Sequence, residues 1–436
     1  MAASSGLTAP YLHIGRGRAA IAHGALASVV VSGVAIAVLS GAQPAQIVRG
    51  ARHGLPHWIT GAFSGLVPGH LTLSGFYLLI GAMGLAYLVA ISLGAELRAR
   101  WVVGAVVVLH CAFLLAPPLL STDVFNYIDY ARLGSLHGLD PYIHGPVAAP
   151  HDPVFAHTAW RHSGSAYGPL FTIASYPLAH VGVAAALWSF KAVAAIASLG
   201  CVALVWRIAR QLGQRPAVAA AVFGLNPLLL VWTVGGAHND LLMIVLMLAG
   251  VSVALAGREA LGGAAIVAAA AVKATAGLAL PFLLLGRPRR WRALAGAAVT
   301  GGLVYAMAAV AFPGHPLAVI SVLSQQHRLV GYNSVPNELA FLFGFPGVTP
   351  GVRTAATVAL VAALGWLVVR VWRGAEWVAA CGWAMVAVVA TATWFLAWYS
   401  VWPLAFAAVS RDRRLLVATI GLQAFFVANH IPHFTH

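Results

Sequence analysis

The fold is decided by long apolar runs such as AVAAAVFGLNPLLLVWT (Ala217–Thr233) and AATVALVAALGWLVV (Ala355–Val369). Similar runs recur along the chain, close to the roughly 20 residues that a helix needs to cross a bilayer. Hydrophobic residues make up 61% of the sequence and charged residues 8%, against about 25% charged residues in a typical soluble domain. A transmembrane β-barrel would show short alternating segments instead. The composition therefore predicts an all-α polytopic membrane protein.

The distribution of basic residues predicts how the chain is threaded. About 13 apolar segments have the character of transmembrane helices, and most Arg and Lys residues fall in alternate loops. Because cytoplasmic loops carry this excess, we expect the N-terminus in the cytoplasm and the C-terminus outside the plasma membrane. The predicted parts are a cytoplasmic tail (1–18), a transmembrane domain (19–430) with large external loops at 121–182 and 314–349, and an external tail (431–436).

Several classes of function are excluded by what the sequence lacks. The net charge of +15 comes from scattered loop residues without an accompanying aromatic platform, so we expect no nucleic-acid partner. The three cysteines, Cys111, Cys201 and Cys381, lie singly in apolar runs and predict neither disulfides nor a metal site. No nucleotide-binding glycine loop, HExxH or GxSxG motif is present. We therefore predict no cofactor and no metal centre.

The most polar part of the chain is STDVFNYIDYARLGSLHGLDPYIHGP (Ser121–Pro146). Only 10 residues of the whole sequence are acidic, and four of them fall in this stretch or just after it: Asp123, Asp129, Asp140 and Asp152. A carboxylate close to a membrane is costly and is generally retained for a function. This stretch is therefore the first place to look for a site.

Residues 122–136 predict a short external juxtamembrane helix that Ser121 or Thr122 caps. At helical spacing one face carries a carboxylate, an amide and two phenols, which suit a hydroxyl-rich ligand; they are Asp123, Asn126, Tyr127 and Tyr130. Asp129 and Arg132 lie on another face and are expected to pair. The alternative is structural: Asp123 caps the helix, and the tyrosines lie at the membrane interface.

Four further polar segments are predicted on the same external face. They are the turn LDPYIHGP (Leu139–Pro146), the start SAYGPL (Ser165–Leu170) of a proline-containing half-helix at 166–180, GGAHND (Gly235–Asp240) before an apolar run, and the loop Ser324–Glu338. Lys273 lies in AAVKATAG, where it either binds a phosphate or extends to the lipid headgroups. The structural alternatives are ordinary turns, lone loop histidines and an N-cap at Asn239 or Asp240. The candidate substrate contacts are Asn126, Tyr127, Asp129, Tyr130, Arg132, Tyr142, His144, Tyr167, His238 and Asp240. The candidate donor-phosphate contacts are Arg161, Lys273, His327 and Arg328.

The order and spacing of these motifs resemble the GT-C superfamily of membrane glycosyltransferases, and more narrowly its polyprenol-phosphomannose-dependent α-1,6-mannosyltransferases from actinobacteria. The motifs that carry the resemblance are STDVFNYIDYARLGSLHGLDPY, SAYGPL, GGAHNDLL and AAVKATAG. The resemblance implies a GT-C-type helical bundle, an external active site and an inverting transfer. It also implies a polyprenyl-phosphate-sugar donor, a lipid-linked glycan acceptor and a catalytic acid in the first external loop. Asp123 matches that acid, and Asp129 is the second candidate.

The chemistry suits the residues independently of the resemblance. A polyprenyl phosphate is already a good leaving group, so cationic side chains need only stabilise its developing charge. One carboxylate then suffices to take the proton from the attacking hydroxyl. Three alternatives stay open: a related transferase for another sugar such as arabinofuranose, a flippase for lipid-linked sugars, and a structural or assembly subunit.

Overall fold

The described part of the chain is helical throughout. The computed structural model describes residues 9–41, 56–67, 71–326, 328–331 and 333–430, and within these residues it has no β-strand. The α-helices are α1 (Ala9–Leu39), α2 (His57–Thr60), α3 (Leu73–Ser92), α4 (Ala99–Leu115), α5 (Asp123–Ser135), α6 (Pro169–Ser175), α7 (Val183–Gln211), α8 (Pro216–Gly224), α9 (Asp240–Leu255), α10 (Glu259–Ala270), α11 (Ala279–Gly286), α12 (Arg290–Ala311), α13 (Ala318–Gln326), α14 (Val335–Leu342), α15 (Pro350–Trp372), α16 (Trp377–Thr391), α17 (Val401–Ala407) and α18 (Arg413–His430).

Shorter helical turns link these helices. The 3₁₀ turns are Gly94–Glu96, Pro146–Ala148, Phe155–His157, Tyr176–His180, Ala274–Leu278 and Ala397–Ser400, and a π-helical turn covers Leu229–Val234. Five helices are long and apolar enough to cross a membrane: α1, α3, α7, α12 and α15. Five further apolar helical segments of 10–17 residues lie beside them. This is the fold of a polytopic helical membrane protein, as the composition predicts, whereas the number and direction of its membrane crossings stay predictions.

Two apolar runs that predict single spans are interrupted in the structure. In residues 216–233, α8 ends at Gly224, and the Asn226 side chain accepts the N–H groups of Leu228 and Leu229 at 3.1 Å each before the π-helical turn begins. Pro227 follows Asn226, and a proline that has no N–H interrupts a helix. In residues 393–410, α16 has already ended and helical structure resumes only at Ala397. At the N-terminus, α1 begins at Ala9, so residues 9–18, predicted as a tail, are helical.

Buried polar contacts join the apolar helices. His110 on α4 lies 2.8 Å from the Ser198 hydroxyl on α7, and the Tyr87 hydroxyl donates to the Val222 carbonyl at 2.7 Å. The Asn226 amide donates to Gln423 on α18 at 2.8 Å. Hydrogen bonds between helices are one of the few forces that hold a bundle together in lipid, because lipid tails compete with apolar side chains.

Helix α5 lies against the short helical segments 169–180 and against α7. The N-cap residue of α5, Thr122, makes no side-chain capping bond, whereas the hydroxyl of the preceding Ser121 accepts the Asp123 N–H at 3.1 Å. The segment predicted as a half-helix folds as α6 and a 3₁₀ turn, Tyr176–His180, and neither is long enough to cross a bilayer. These elements place the polar end of α5 inside the protein, where it faces the motifs that follow later in the chain.

Candidate active site

A cavity of about 260 Å³ opens beside the first turn of α5. This volume is slightly below the roughly 300–1,000 Å³ of pockets that enclose a whole drug-sized ligand. Its polar and aromatic lining consists of Asp123, Tyr130, Trp160, Tyr167, Lys273, Thr275, Gln326, Thr393, Trp394, Trp398, Tyr399 and Trp402. The cavity therefore brings together a carboxylate, an ammonium group and many aromatic rings, in a space that suits a sugar ring rather than a long glycan.

Asp123 is largely enclosed but reaches the cavity, with its side chain 13% exposed. The indole N–H of Trp160 donates to its Oδ1 at 3.2 Å, and Nδ1 of His238 lies 3.7 Å from its Oδ2. Burial raises the pKa of Asp123 to about 6, although the Trp160 hydrogen bond and the charge of Lys273 oppose this rise. A carboxylate with this pKa is ionised at neutral pH and is basic enough to accept a proton from a hydroxyl during reaction.

His238 lies behind Asp123 and does not line the cavity. Its ring is fully buried and stacks on Trp398 with the centroids 3.7 Å apart. Its Nδ1 is also 3.5 Å from the Tyr127 hydroxyl. Burial and the nearby Lys273 charge hold the pKa of His238 well below its usual range, so the imidazole is neutral. This position suits a group that orients Asp123.

Lys273 borders the cavity and forms an ion pair with Asp240. Nζ of Lys273 donates to Oδ1 of Asp240 at 2.7 Å, and the same oxygen accepts the indole N–H of Trp402 at 2.6 Å. The ammonium also lies 4.9 Å and 5.1 Å from the ring centres of Tyr399 and Trp402. Asp240 is fully buried, whereas the Lys273 side chain is 15% exposed and borders the cavity. An ammonium has three donors, so donors beyond the one on Asp240 can serve a ligand.

The backbone explains why the SAYGPL and AAVKATAG motifs belong to one site. The N–H groups of Gly168 and Leu170 donate to the carbonyls of Val272 and Ala271 at 2.9 Å and 3.0 Å. A Cβ at Gly168 would lie 2.1 Å from the Ala271 carbonyl oxygen. Only glycine allows this approach, which fixes the Lys273 turn against the start of α6.

The aromatic wall from Trp394 to Trp402 is the part of the site that sequence reasoning missed. Those residues read as a transmembrane span, whereas the structure breaks the run and turns Trp394, Trp398, Tyr399 and Trp402 towards the cavity. Trp394 meets Trp160 edge to face with the centroids 5.8 Å apart. The available signal was the density of aromatic residues in TWFLAWYSVW (Thr393–Trp402), which exceeds what an interfacial belt needs.

Other candidates on α5 and its loop shape the cavity through internal bonds. The Asn126 side chain accepts the N–H groups of Ala159 and Trp160 at 3.3 Å and 3.4 Å, and so holds the Trp160 loop against α5. The Tyr130 hydroxyl donates to the Ser163 carbonyl at 2.9 Å. The Tyr142 hydroxyl donates to the Tyr167 carbonyl at 2.9 Å. Tyr130 and Tyr167 border the cavity, whereas Asn126, Tyr127 and Tyr142 do not.

The predicted pair of Asp129 with Arg132 is wrong. Nε of Arg132 lies 2.9 Å from each oxygen of Asp152, its NH1 donates to the Ala179 carbonyl at 3.0 Å, and His137 adds a 2.8 Å contact to Asp152. The loop that carries Asp152 folds back onto α5 and takes the guanidinium. The Asp129 carboxylate is buried with no hydrogen-bond partner among the described residues, and burial and the charge of Asp152 raise its pKa to about 7.

The other predicted phosphate contacts lie away from the cavity lining. Arg161 donates to the Thr158 carbonyl at 3.2 Å and covers the Phe155 ring at 4.6 Å. His144 lies 3.2 Å from the Asp140 carbonyl, within its own turn. Arg328 is exposed and directly precedes Leu329, which borders the cavity; His327 lies outside the described residues. Within the described ranges no group of three or more His, Cys, Asp or Glu side chains is placed to hold a metal ion.

Comparison with known proteins gives one consistent family. The family model described as "Alpha-(1->6)-mannopyranosyltransferase, N-terminal domain" matches residues 21–287, which include Asp123, His238, Asp240 and Lys273. A protein of Mycobacterium tuberculosis named alpha-(1->6)-mannopyranosyltransferase A is 32% identical over 366 residues, which cover 74% of this chain and 69% of that protein. No solved structure matches the chain significantly.

Two shorter matches agree with this result. The alpha-(1->6)-mannopyranosyltransferase A of Corynebacterium glutamicum is 31% identical over 176 residues, covering 39% of this chain and 36% of that protein. A protein of Mycolicibacterium smegmatis named a probable alpha-(1->6)-mannopyranosyltransferase is 28% identical over 314 residues, covering 60% of this chain and 56% of that protein. The apolar helical fold agrees with these matches, and the chain belongs to the alpha-(1->6)-mannopyranosyltransferase family of membrane mannosyltransferases.

Proposed function

We propose that the protein transfers mannose from a polyprenyl-phosphate donor to a hydroxyl group of a lipid-linked mannan acceptor, with inversion at the anomeric carbon. The observation that carries this proposal is the placement of Asp123 and Lys273 on one cavity. One of these groups can accept a proton, and the other can stabilise a phosphate. The reaction needs these two charges and no further acid, because the leaving group is already a phosphate.

In this mechanism Asp123 acts as the general base. Its carboxylate takes the proton of the acceptor hydroxyl while that oxygen attacks the anomeric carbon of mannose. The bond from this carbon to the phosphate oxygen breaks, and its electron pair leaves with the polyprenyl phosphate. Attack on the face opposite the leaving group gives inversion, and the Lys273 ammonium stabilises the charge that develops on the phosphate.

The surrounding side chains fix this geometry. Trp160 holds one oxygen of Asp123, and neutral His238 lies beside the other. Asp240 and Trp402 hold Lys273 at the cavity edge. Aromatic side chains such as Trp394 and Tyr399 give the cavity rigid walls, against which the apolar faces of sugar rings can pack.

We further propose that this cavity faces the external side of the plasma membrane. Asp123, Trp160 and Tyr167 border the cavity and lie in segment 121–182, and Gln326 lies in segment 314–349. The distribution of basic residues predicts that both segments are external loops. Arg328, which is exposed and directly precedes the cavity-lining Leu329, is our candidate for a contact with lipid phosphate there. Membrane lipids would then surround the donor's chain while its sugar enters the cavity.

The direct test measures mannose transfer by membranes that contain the protein. The membranes are supplied with a radiolabelled polyprenyl-phosphate mannose and a short α-mannoside acceptor. Removal of a general base typically costs about 10²–10⁴ in rate, so we expect Asp123→Asn, at matched expression, to lose transfer by that factor. Equal transfer by both proteins would reject Asp123 as the base. Transfer only from a polyprenyl-phosphate arabinose donor would reject mannose as the transferred sugar. No transfer from any donor would favour a flippase.

A further inference from the structure

Lys191 is a fully buried lysine within the apolar helix α7. Its Nζ donates to the Gly235 carbonyl at 2.9 Å and lies within 3.4 Å of the Pro117 carbonyl. An ionisable side chain within a membrane helix is rare and generally marks a function, with its partner as the guide. Here both partners are backbone carbonyls from two separate turns, and a third bond joins those turns directly, from the Leu119 N–H to the Gly235 carbonyl at 3.1 Å.

The same two turns carry the strained backbone of the protein. Among the described residues, the only non-glycine residues with a positive φ are Leu120, at 61°, and Ala237, at 57°. This left-handed conformation is unfavourable for a residue with a Cβ, and especially so for a bulky one. Such strain persists only where surrounding contacts enforce it, and it concentrates at functional sites.

Each strained residue lies only a few positions before residues of the candidate site in the sequence. Leu120 precedes Ser121, whose hydroxyl accepts the N–H of Asp123 at the start of α5. Ala237 directly precedes His238 and lies three residues before Asp240, the partner of Lys273. A relaxation of either turn would therefore move the carboxylate, the imidazole or the ion pair relative to one another.

We propose that Lys191 is a positioning residue for mannosyl transfer, which clamps the 117–120 turn to the 235–237 turn and so sets the distance between Asp123 and the His238–Asp240 segment. It touches neither the cavity nor the reacting atoms, and it acts through the backbone carbonyls that it holds. The proposal rests on the proposed function, because it assumes that the groups after these turns perform the transfer.

The test is steady-state kinetics of purified Lys191→Met, which keeps the length and apolar stem of the side chain but removes the donors. A misplacement of about 1 Å at a reacting centre costs about 10² in rate. We expect kcat per folded protein to fall by about that factor with little change in KM, since the clamp matters for alignment rather than for binding. In Lys191→Met combined with Ala237→Gly, glycine removes the strain, and we expect a higher kcat than in the single variant.

Ser198→Ala is the matched control. Ser198 lies two turns further along α7, is equally buried and bonds His110 rather than a turn of the site. We expect its kcat to equal that of the wild type, whatever it loses in thermal stability. A Lys191→Met variant with wild-type kcat per folded protein would overturn the clamp. If that variant yields no folded protein, Lys191→Leu, which likewise lacks donors, decides: a reduced kcat at unchanged KM supports the clamp, and a wild-type kcat rejects it.

Asp123→Asn, assayed in parallel, separates this proposal from the proposed function. Impaired transfer in both variants supports both. If the Asp123→Asn variant is active and the Lys191→Met variant is impaired, Asp123 is rejected as the base. The clamp is kept, because it also positions the turn before His238. An impaired Asp123→Asn beside an unimpaired Lys191→Met keeps the base and rejects the clamp.

Discussion

The two faces of helix α5 solve the problem of burying charge in opposite ways. On one face, Asp123 reaches a cavity and meets Trp160 and His238 without a salt-bridged cation of its own. On the other face, Arg132 bonds both oxygens of Asp152 and the Ala179 carbonyl, and it does not border that cavity. The first face, here called the open face, leaves a carboxylate accessible from the cavity. On the second face, here called the closed face, the Arg132 charge is bound in contacts within the protein.

The comparison shows that a raised pKa does not by itself identify a catalytic acid. Burial raises the pKa of Asp123 to about 6 and that of Asp129, on the same helix, to about 7. Perturbed pKa values concentrate at functional sites, but structural burial produces them as well. Access distinguishes the two groups, because Asp123 borders the cavity and Asp129 does not.

Replacing Lys273 is expected to have the largest effect on transfer among the tests of whether access to the cavity distinguishes catalytic from structural charges. Removal of one stabilising group for developing charge typically costs about 10²–10³ in rate, and we expect Lys273→Met to lower kcat/KM for the donor by that factor. The substitution also leaves Asp240 buried without its cation, and the loss of one partner of a buried pair costs about 3–5 kcal/mol of stability. Thermal unfolding measured beside the kinetics separates the two losses.

The double variant Lys273→Met with Asp240→Asn is the control for this loss of stability. It leaves no unpaired charge, and Trp402 can still donate to the amide oxygen at position 240. We expect stability close to that of the wild type together with the full kinetic defect. Restored transfer in the double variant would mean that Lys273 only neutralises Asp240. Lys273 would then have a structural role, as Arg132 has beside Asp152.

Trp160 tests how the open face tunes its carboxylate. Its N–H stabilises the charged form of Asp123, so Trp160→Phe should raise the pKa of that group. A hydrogen bond to a charged group contributes about 1.5–3 kcal/mol, which corresponds to a rise of about one pH unit or more. The acid limb of kcat/KM, expected near pH 6 in the wild type, should move to higher pH by that amount.

Trp394→Phe is the matched control for this shift. Trp394 packs against Trp160 on the same wall, and among the described contacts it makes no hydrogen bond to Asp123. We expect its acid limb to stay at the wild-type pH even if the rate falls. An equal shift in both variants would attribute the effect to the wall rather than to the Trp160 hydrogen bond.

The sequence predicts the local parts of this site better than their assembly. Helical spacing on α5 correctly predicts a short helix, because that feature depends on neighbouring residues. The pairing of Arg132 with Asp152 depends on how the 136–168 loop folds back, which no local pattern encodes. The aromatic wall was missed for a related reason: its residues read as a continuous span, and only tertiary packing turns them into the cavity.

Asp129 gives the smallest expected effect and the sharpest test of the comparison. Because burial raises its pKa to about 7, the folded protein keeps this proton to a higher pH than the unfolded chain does. The cost of the buried charge therefore grows from about pH 4 and is complete above about pH 7. We expect Asp129→Asn to transfer mannose at close to the wild-type rate, because Asp129 does not border the cavity, and to unfold at an equal or higher temperature at pH 8. A loss comparable to that of Asp123→Asn, without a loss of stability, would make Asp129 the base and the closed face of α5 the reactive one.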